Sequence, residues 1–216
     1  MKRLADLLII AKQPLPGRVK TRLTPEYSPA EAAELATAAL TDTLRVAADT
    51  PARRRILVLE GEPGDWLPKG FTVIRQRGRG LDERLANAFT DAGGPALLIG
   101  MDTPQVTPEL LAPVTDLDSW GCDAWFGPAD DGGFWALALA EPDPGLLLGV
   151  PMSRDDTGRR QRQRLLRAGL RVRDLPRLRD VDTAADVDFV ARLAPDGRFA
   201  ATAYRLGHST TPRGAL

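Results

Sequence analysis

The sequence predicts an α/β fold, a single domain with a mostly parallel central sheet and helices on both faces. Three observations predict it. Short apolar runs alternate along the chain with longer stretches of helical periodicity. The runs LLII at 7–10 and ALLIG at 96–100 are continuous rather than alternating, as in strands buried on both faces. Neither an internal repeat nor a composition break divides the 216 residues, a length that suits one ordinary core.

The elements follow in order. The run at 7–10 is the first strand, and a loop rich in Pro, Gly and basic residues follows it from 13 to 25. Ser28-Pro29 is an N-cap followed by proline at the first helical position, and the alanine-rich stretch to 48 carries Leu35, Leu40 and Leu44 at helical spacing. RILVL at 55–59 and FTVI at 71–74 read as the second and third strands. A helix spans 81–92, with Leu81, Leu85, Ala88 and Phe89 on one face. The strand at 96–100 runs straight into Met101-Asp102, and Thr107-Pro108-Glu109 opens another helix. Strands at 124–126 and 134–139 flank an Asp-Gly-Gly turn. A basic helix at 159–168, a strand at 170–175 and a helix at 184–193 complete the domain, which spans 1–194. The segment 195–216 is polar and reads as a frayed or loosely docked tail.

Composition excludes several classes. Hydrophobic residues make up 43% and charged residues 27%, which argues against disorder, collagen and coiled coil. Lys plus Arg equals Asp plus Glu at 29 each, so no global field attracts nucleic acid and any anion site is local. The N-terminal apolar run is too short for a membrane span or a signal peptide. The single cysteine, Cys122, permits no internal disulfide and reads as a small core residue. A reducing cytoplasm is the expected location.

Open α/β sheets bind ligands beyond the carboxyl ends of their strands, so the loops after Ile10, Ile99 and Phe126 carry the search. The first, AKQPLPGRVKTRL, places Lys12, Arg18, Lys20 and Arg22 together, and in an extended segment the last three project to one side. Gly17 permits close backbone approach or an unusual turn. A di- or triphosphate bound by charge-assisted hydrogen bonds would relieve the repulsion; a solvated basic loop is the competing reading. The loop is not a Walker A motif, and no dinucleotide fingerprint is present. Asp102, directly after a buried strand, either holds Mg²⁺ against phosphate oxygens or caps its own turn. In GPADDGGF, Asp131 either bonds a sugar or acceptor hydroxyl, with bare glycine backbone admitting the ligand, or belongs to a plain hairpin. Trp135 reads as a core aromatic, with ring stacking as the alternative. In RDVDTAADV, Asp182 either completes a two-carboxylate metal site with Asp102 or serves the N-terminus of the helix that Thr183 caps. His208 takes no catalytic role, and no Ser-His-Asp or Cys-His set suggests a covalent hydrolase.

Taken together, KQPLPGRVKTRLTP, RGLDERLANAF, IGMDTPQVTPELL, GPADDGGFWALAL and DVDTAADV resemble the DUF2064 group of GT-A-like proteins over residues 4–190. That group is similar to the nucleotide-diphospho-sugar transferases and, more distantly, to guanylyltransferases that activate phospholactate. The resemblance implies a Rossmann-like GT-A fold, a phosphate-binding loop at Gly17, Arg18, Lys20, Thr21 and Arg22 with Lys12 upstream, and metal ligation by Asp102 and Asp182. The implied catalytic set is Lys20, Asp102 and Asp131, the cofactor Mg²⁺ with Mn²⁺ as an alternative, and the partners a nucleotide or nucleotide-sugar and a small-molecule acceptor. Two departures stand out: Leu81-Asp82 replaces the usual Leu-Gly, and Met152-Ser153-Arg154 replaces a usual Trp-Ser-Thr in a region implied to touch the acceptor. Two reactions fit. The density of cations in the first loop favours nucleotidyl transfer, and the names given to family members favour glycosyl transfer. A non-catalytic nucleotide-binding protein is a third reading.

Overall fold

The computed structural model describes residues 2–207; His208, which the sequence leaves without a role, lies outside the described residues. The strands are β1 Asp6–Lys12, β2 Arg55–Glu60, β3 Thr72–Arg75, β4 Ala96–Gly100, β5 Ala124–Pro128, β6 Phe134–Leu139 and β7 Val172–Asp174. The helices are α1 Pro29–Asp49, α2 Leu81–Ala92, α3 Pro108–Thr115, α4 Thr157–Arg167, α5 Ala184–Leu193 and α6 Arg198–Gly207. The strands form one seven-stranded sheet in the order β3-β2-β1-β4-β6-β5-β7. β3, β2, β1 and β4 are mutually parallel, while β6 runs antiparallel to both β4 and β5. This is the α/β fold that the alternating strands and helices predict.

Strand alternation divides the core into two faces. Leu7, Ile9, Leu97 and Ile99 pack toward α1 and α3 with Leu40, Leu44, Leu111 and Val114. Leu8 and Leu98 pack the other way, toward α2 and α4 with Leu85, Phe89 and Leu165. The continuous runs in β1 and β4 are thus required, because neither face of these central strands meets water. α1 begins as its sequence predicts: the Ser28 hydroxyl accepts from Glu31 N–H at 3.3 Å, and the Glu31 carboxylate accepts from Ser28 N–H at 2.7 Å. No helix among the described residues is long and apolar enough to cross a membrane.

The expectation of a loose polar tail from 195 onward is corrected for its first part. Residues 198–207 form α6, whose Phe199, Ala200, Ala203 and Leu206 pack on α1 and α5. The buried Asp42 carboxylate of α1 accepts the N–H groups of Arg198 and Phe199 at 3.0 and 2.8 Å, capping α6 from outside its own sequence. Overall polarity concealed a narrow apolar stripe.

Strand directions bring the informative segments to one edge of the sheet. The loops after β1 and β4 leave its carboxyl edge. Because β6 is antiparallel to β4, the β5–β6 turn reaches that same edge. The segment after β7 arrives there too, where Val181 N–H donates to Asp102 O at 3.0 Å.

Candidate active site

A cleft of about 610 Å³ opens at this edge, lined by the first loop, the Met101–Thr103 turn, Asp131, the Met152–Asp155 segment, Asp180 and Asp182. The first loop is not extended, which corrects the two-residue periodicity expected for its cations. Arg18 N–H closes a turn on Leu15 O at 3.0 Å, Lys20 is left-handed at φ 50°, and residues 21–23 make a single 3₁₀ turn. Val19 and Leu23 are buried and anchor the loop, so Lys20 turns inward while Arg22 stays outside: the Lys20 and Arg22 side chains are 7% and 72% exposed. Lys12, Arg18, Lys20, Thr21 and Arg22 all line the cleft. Gly17 lies outside this lining, and its φ of 73° meets the requirement of the turn.

Lys20 is the hub of the site. Its ammonium forms an ion pair with Asp102 Oδ1 at 2.7 Å and donates to Asp182 Oδ1 at 3.4 Å and to the Val181 carbonyl. Burial works against its charge, yet Asp102 and Asp182 outweigh burial and hold its pKa above the ordinary lysine value. Arg22 reaches the other oxygen of Asp182 at 3.5 Å. Asp180, half-buried beside them, is pushed up to about 7 by burial and then by the Asp102 and Asp131 carboxylates. The centre of the cleft is therefore acidic and the first-loop side of its rim basic. Asp182 does not serve the following helix as an acid at its first turn. Asp186 does so, accepting Thr183 N–H and hydroxyl, each at 2.7 Å. That leaves the Asp182 carboxylate to the cleft.

Of the two glycines in the Asp-Gly-Gly turn, Gly133 lines the cleft, while Gly132 is packed against a neighbouring segment. A Cβ on Gly132 would lie 1.9 Å from Asp155 O, and one on Gly158 would lie 2.2 Å from Gly133 O. Gly158 N–H donates to Gly132 O at 2.8 Å. These glycines lock the turn against the segment that opens α4. Asp131 accepts the Gly133 N–H at 2.8 Å and remains exposed at the cleft, so its part in the turn does not withdraw it from the lining. Trp135 is a core residue, 3% exposed, with its indole N–H donating to Pro176 O at 3.0 Å. Cys122 is partly buried against the same cluster.

Gln76 and Arg84 also line the cleft and were not singled out from sequence. Gln76 directly follows β3, and Asp102 comes two residues after β4, so the same position rule covers both. Its amide donates to Ala11 O and Val58 O at 2.7 and 3.1 Å, and its Oε1 accepts from Arg84 at 3.3 Å.

Fold and cleft together place the chain among transferases built on the nucleotide-diphospho-sugar transferase fold. It is similar over 97% of its length to the crystal structure of a candidate nucleotide-diphospho-sugar transferase from Desulfovibrio desulfuricans G20, with 27% identity, 95% of that chain covered and a TM-score of 0.83. The chain belongs to the family described as "Uncharacterized protein conserved in bacteria (DUF2064)", whose profile matches residues 32–154. Two further likenesses concern the fold alone. One is Rv0371c of Mycobacterium tuberculosis H37Rv in complex with manganese, at 21% identity, 89% and 100% coverage and a TM-score of 0.53. The other is a CMP:2-keto-3-deoxy-manno-octonic acid synthetase complexed with CTP, at 14% identity, 89% and 99% coverage and a TM-score of 0.56. No curated protein matches the chain.

Proposed function

We propose that this protein is a divalent-metal-dependent nucleotidyltransferase, which joins a nucleoside triphosphate to a phosphorylated small-molecule acceptor and releases pyrophosphate. The observation that carries the reading is the meeting of Lys20, Asp102 and Asp182 in a cleft rimmed by Lys12, Arg18 and Arg22.

The donor set fits a hard divalent cation. Two carboxylates and a carbonyl already surround the Lys20 ammonium, a stand-in cation, and Mg²⁺ and Mn²⁺ accept such oxygens. Asp102 and Asp182 would hold the metal. No group of three or more His, Cys, Asp or Glu side chains among the described residues is placed to bind a metal, so phosphate oxygens and water would fill the rest of its shell. When bound, it neutralises phosphate charge and polarises the phosphoryl group.

The chain's own residues supply the rest. Arg18, Arg22 and Lys12 hold the phosphates by charge-assisted hydrogen bonds, with the Thr21 hydroxyl beside them. The acceptor phosphate oxygen attacks the α-phosphorus, the bond to the β-phosphate oxygen breaks, and pyrophosphate carries away the charge. Cations fixed around the departing oxygens stabilise that charge without reorganising. Asp131, exposed on the opposite side of the acidic centre from the first loop, orients the acceptor.

A second reading, glycosyl transfer from a nucleotide-sugar, is favoured by the description of the Desulfovibrio relative. It uses the same phosphate and metal groups, with attack at the anomeric carbon and a nucleoside diphosphate leaving. A Mg²⁺-dependent thermal-shift panel of NTPs against UDP-, GDP- and dTDP-sugars separates the readings. Stabilisation by NTPs alone supports nucleotidyl transfer, and by sugar nucleotides alone supports glycosyl transfer. Silence across the whole panel sinks both. Asp102→Asn is expected to lose the Mg²⁺-dependent part of the shift while keeping its unliganded Tm within a few degrees.

A further inference from the structure

The Lys20 ammonium has three protons to donate, and its three partners are Asp102 Oδ1, Asp182 Oδ1 and the Val181 carbonyl. Its side chain is only 7% exposed, so little water is at hand to substitute for any of them. A left-handed backbone at φ 50° aims it inward from a loop anchored by Val19 and Leu23. In this arrangement the acceptors around the Lys20 ammonium are all protein oxygens. The carboxylates that would hold a divalent cation are the ones it occupies.

We infer that Lys20 is an internal gate: it excludes free divalent metal from Asp102 and Asp182, and releases them only when nucleotide phosphates offer its ammonium new acceptors. This rests on the nucleotide reading of the same cleft. The argument is electrostatic. A divalent ion entering alone must either share the corner with an ammonium or leave that ammonium desolvated and unpaired, and both are unfavourable. Phosphates remove the conflict, because they accept from Lys20 and ligate the metal at once. The acid pair does not depend on Lys20 for its position, since Val181 N–H donates to Asp102 O at 3.0 Å and ties the two segments together by backbone. Arg22 cannot take over as gate: it reaches Asp182 at 3.5 Å from outside, with 72% of its side chain exposed. Metal and nucleotide therefore bind as one coupled event, and each raises the affinity for the other by the same factor.

The test titrates the full-length protein with Mn²⁺ alone and follows the free-ion paramagnetic resonance signal. Lys20→Met is expected to bind Mn²⁺ at least tenfold more tightly than the wild type without nucleotide. Lys20→Asn, which keeps a residue tolerant of the left-handed backbone, should behave alike if the methionine variant folds poorly. With CTP as probe, the wild type should gain at least tenfold in Mn²⁺ affinity, and the variants should lose that gain. Equal or weaker Mn²⁺ binding by both variants in the absence of nucleotide overturns the gate. If no nucleotide binds the wild type, the functional reading fails, while the comparison with Mn²⁺ alone still decides whether Lys20 excludes the ion.

Discussion

At the scale of single residues, sequence position identified chemistry where a side chain follows directly on a strand. Asp102 is such a case in position: β4 ends at Gly100, and Met101-Asp102 follow at the sheet edge, where Asp102 lines the cleft. Lys20 was found for its charge, but its role as the hub was not visible, because its partners lie 82 to 162 positions further along the chain. Asp180 gave no distinct signal in the sequence, because its environment is made by burial and then by carboxylates brought from Asp102 and Asp131. That environment makes a prediction for the metal-free protein. The folded pKa of Asp180, about 7, lies above the ordinary carboxylate value near 4. Between these values the native chain keeps a proton that the unfolded chain has released. The contribution is therefore complete below about pH 4 and is lost as pH rises through 7. Asp180→Asn should flatten this slope. Tm measured from pH 4 to 8 in chelator checks it, and identical slopes for variant and wild type would refute the assignment.

At the scale of elements, periodicity and capping signals served well. α2, β4, β6 and α5 fall where their patterns place them, and the Ser28 capping box starts α1 at the proline that follows it. Turns were less legible. The alternating cations of the first loop would share one side only in an extended segment, but burial of Val19 and Leu23 coils it. The Asp-Gly-Gly turn reads as a hairpin, which it is, yet its glycines answer to a distant partner, the Asp155 to Gly158 segment. Gly132→Ala is accordingly expected to cost at least about 2 kcal/mol and lower Tm by roughly 4–8 °C, through backbone collision added to strain at φ 87°. Gly149→Ala, also at positive φ but with open space around its Cβ, should cost no more than about 1–2 kcal/mol from strain alone. Calorimetry on the two variants checks the pair; equal losses would mean that the close packing at Gly132 adds nothing.

At the scale of the whole molecule, the sheet fills two cores and α1 carries a third on its outer side, shared with α5 and α6. Phe199 is 1% exposed in that third core, so Phe199→Ala should destabilise the chain by about 3–5 kcal/mol. A urea midpoint lowered accordingly, with the slope unchanged, checks this; a loss under 1 kcal/mol would show that α6 is not integral. The amino-acid sequence by itself determined the α/β class, the order of elements and the edge at which the chemistry gathers, because these depend on local periodicity, capping and the rule that parallel strands open toward their carboxyl ends. It also carried the family, through motifs spread along the chain. Only the tertiary structure decided that one ammonium is enclosed by Asp102, Asp182 and the Val181 carbonyl, that Asp186 rather than Asp182 serves α5, and that the polar-looking residues 198–207 dock as a helix. The physical reason for the first and last is that burial and charge pairing are properties of neighbourhoods in space, with partners far apart in the chain. The second is a choice between two nearby acids, settled by which carboxylate faces the Thr183 N–H.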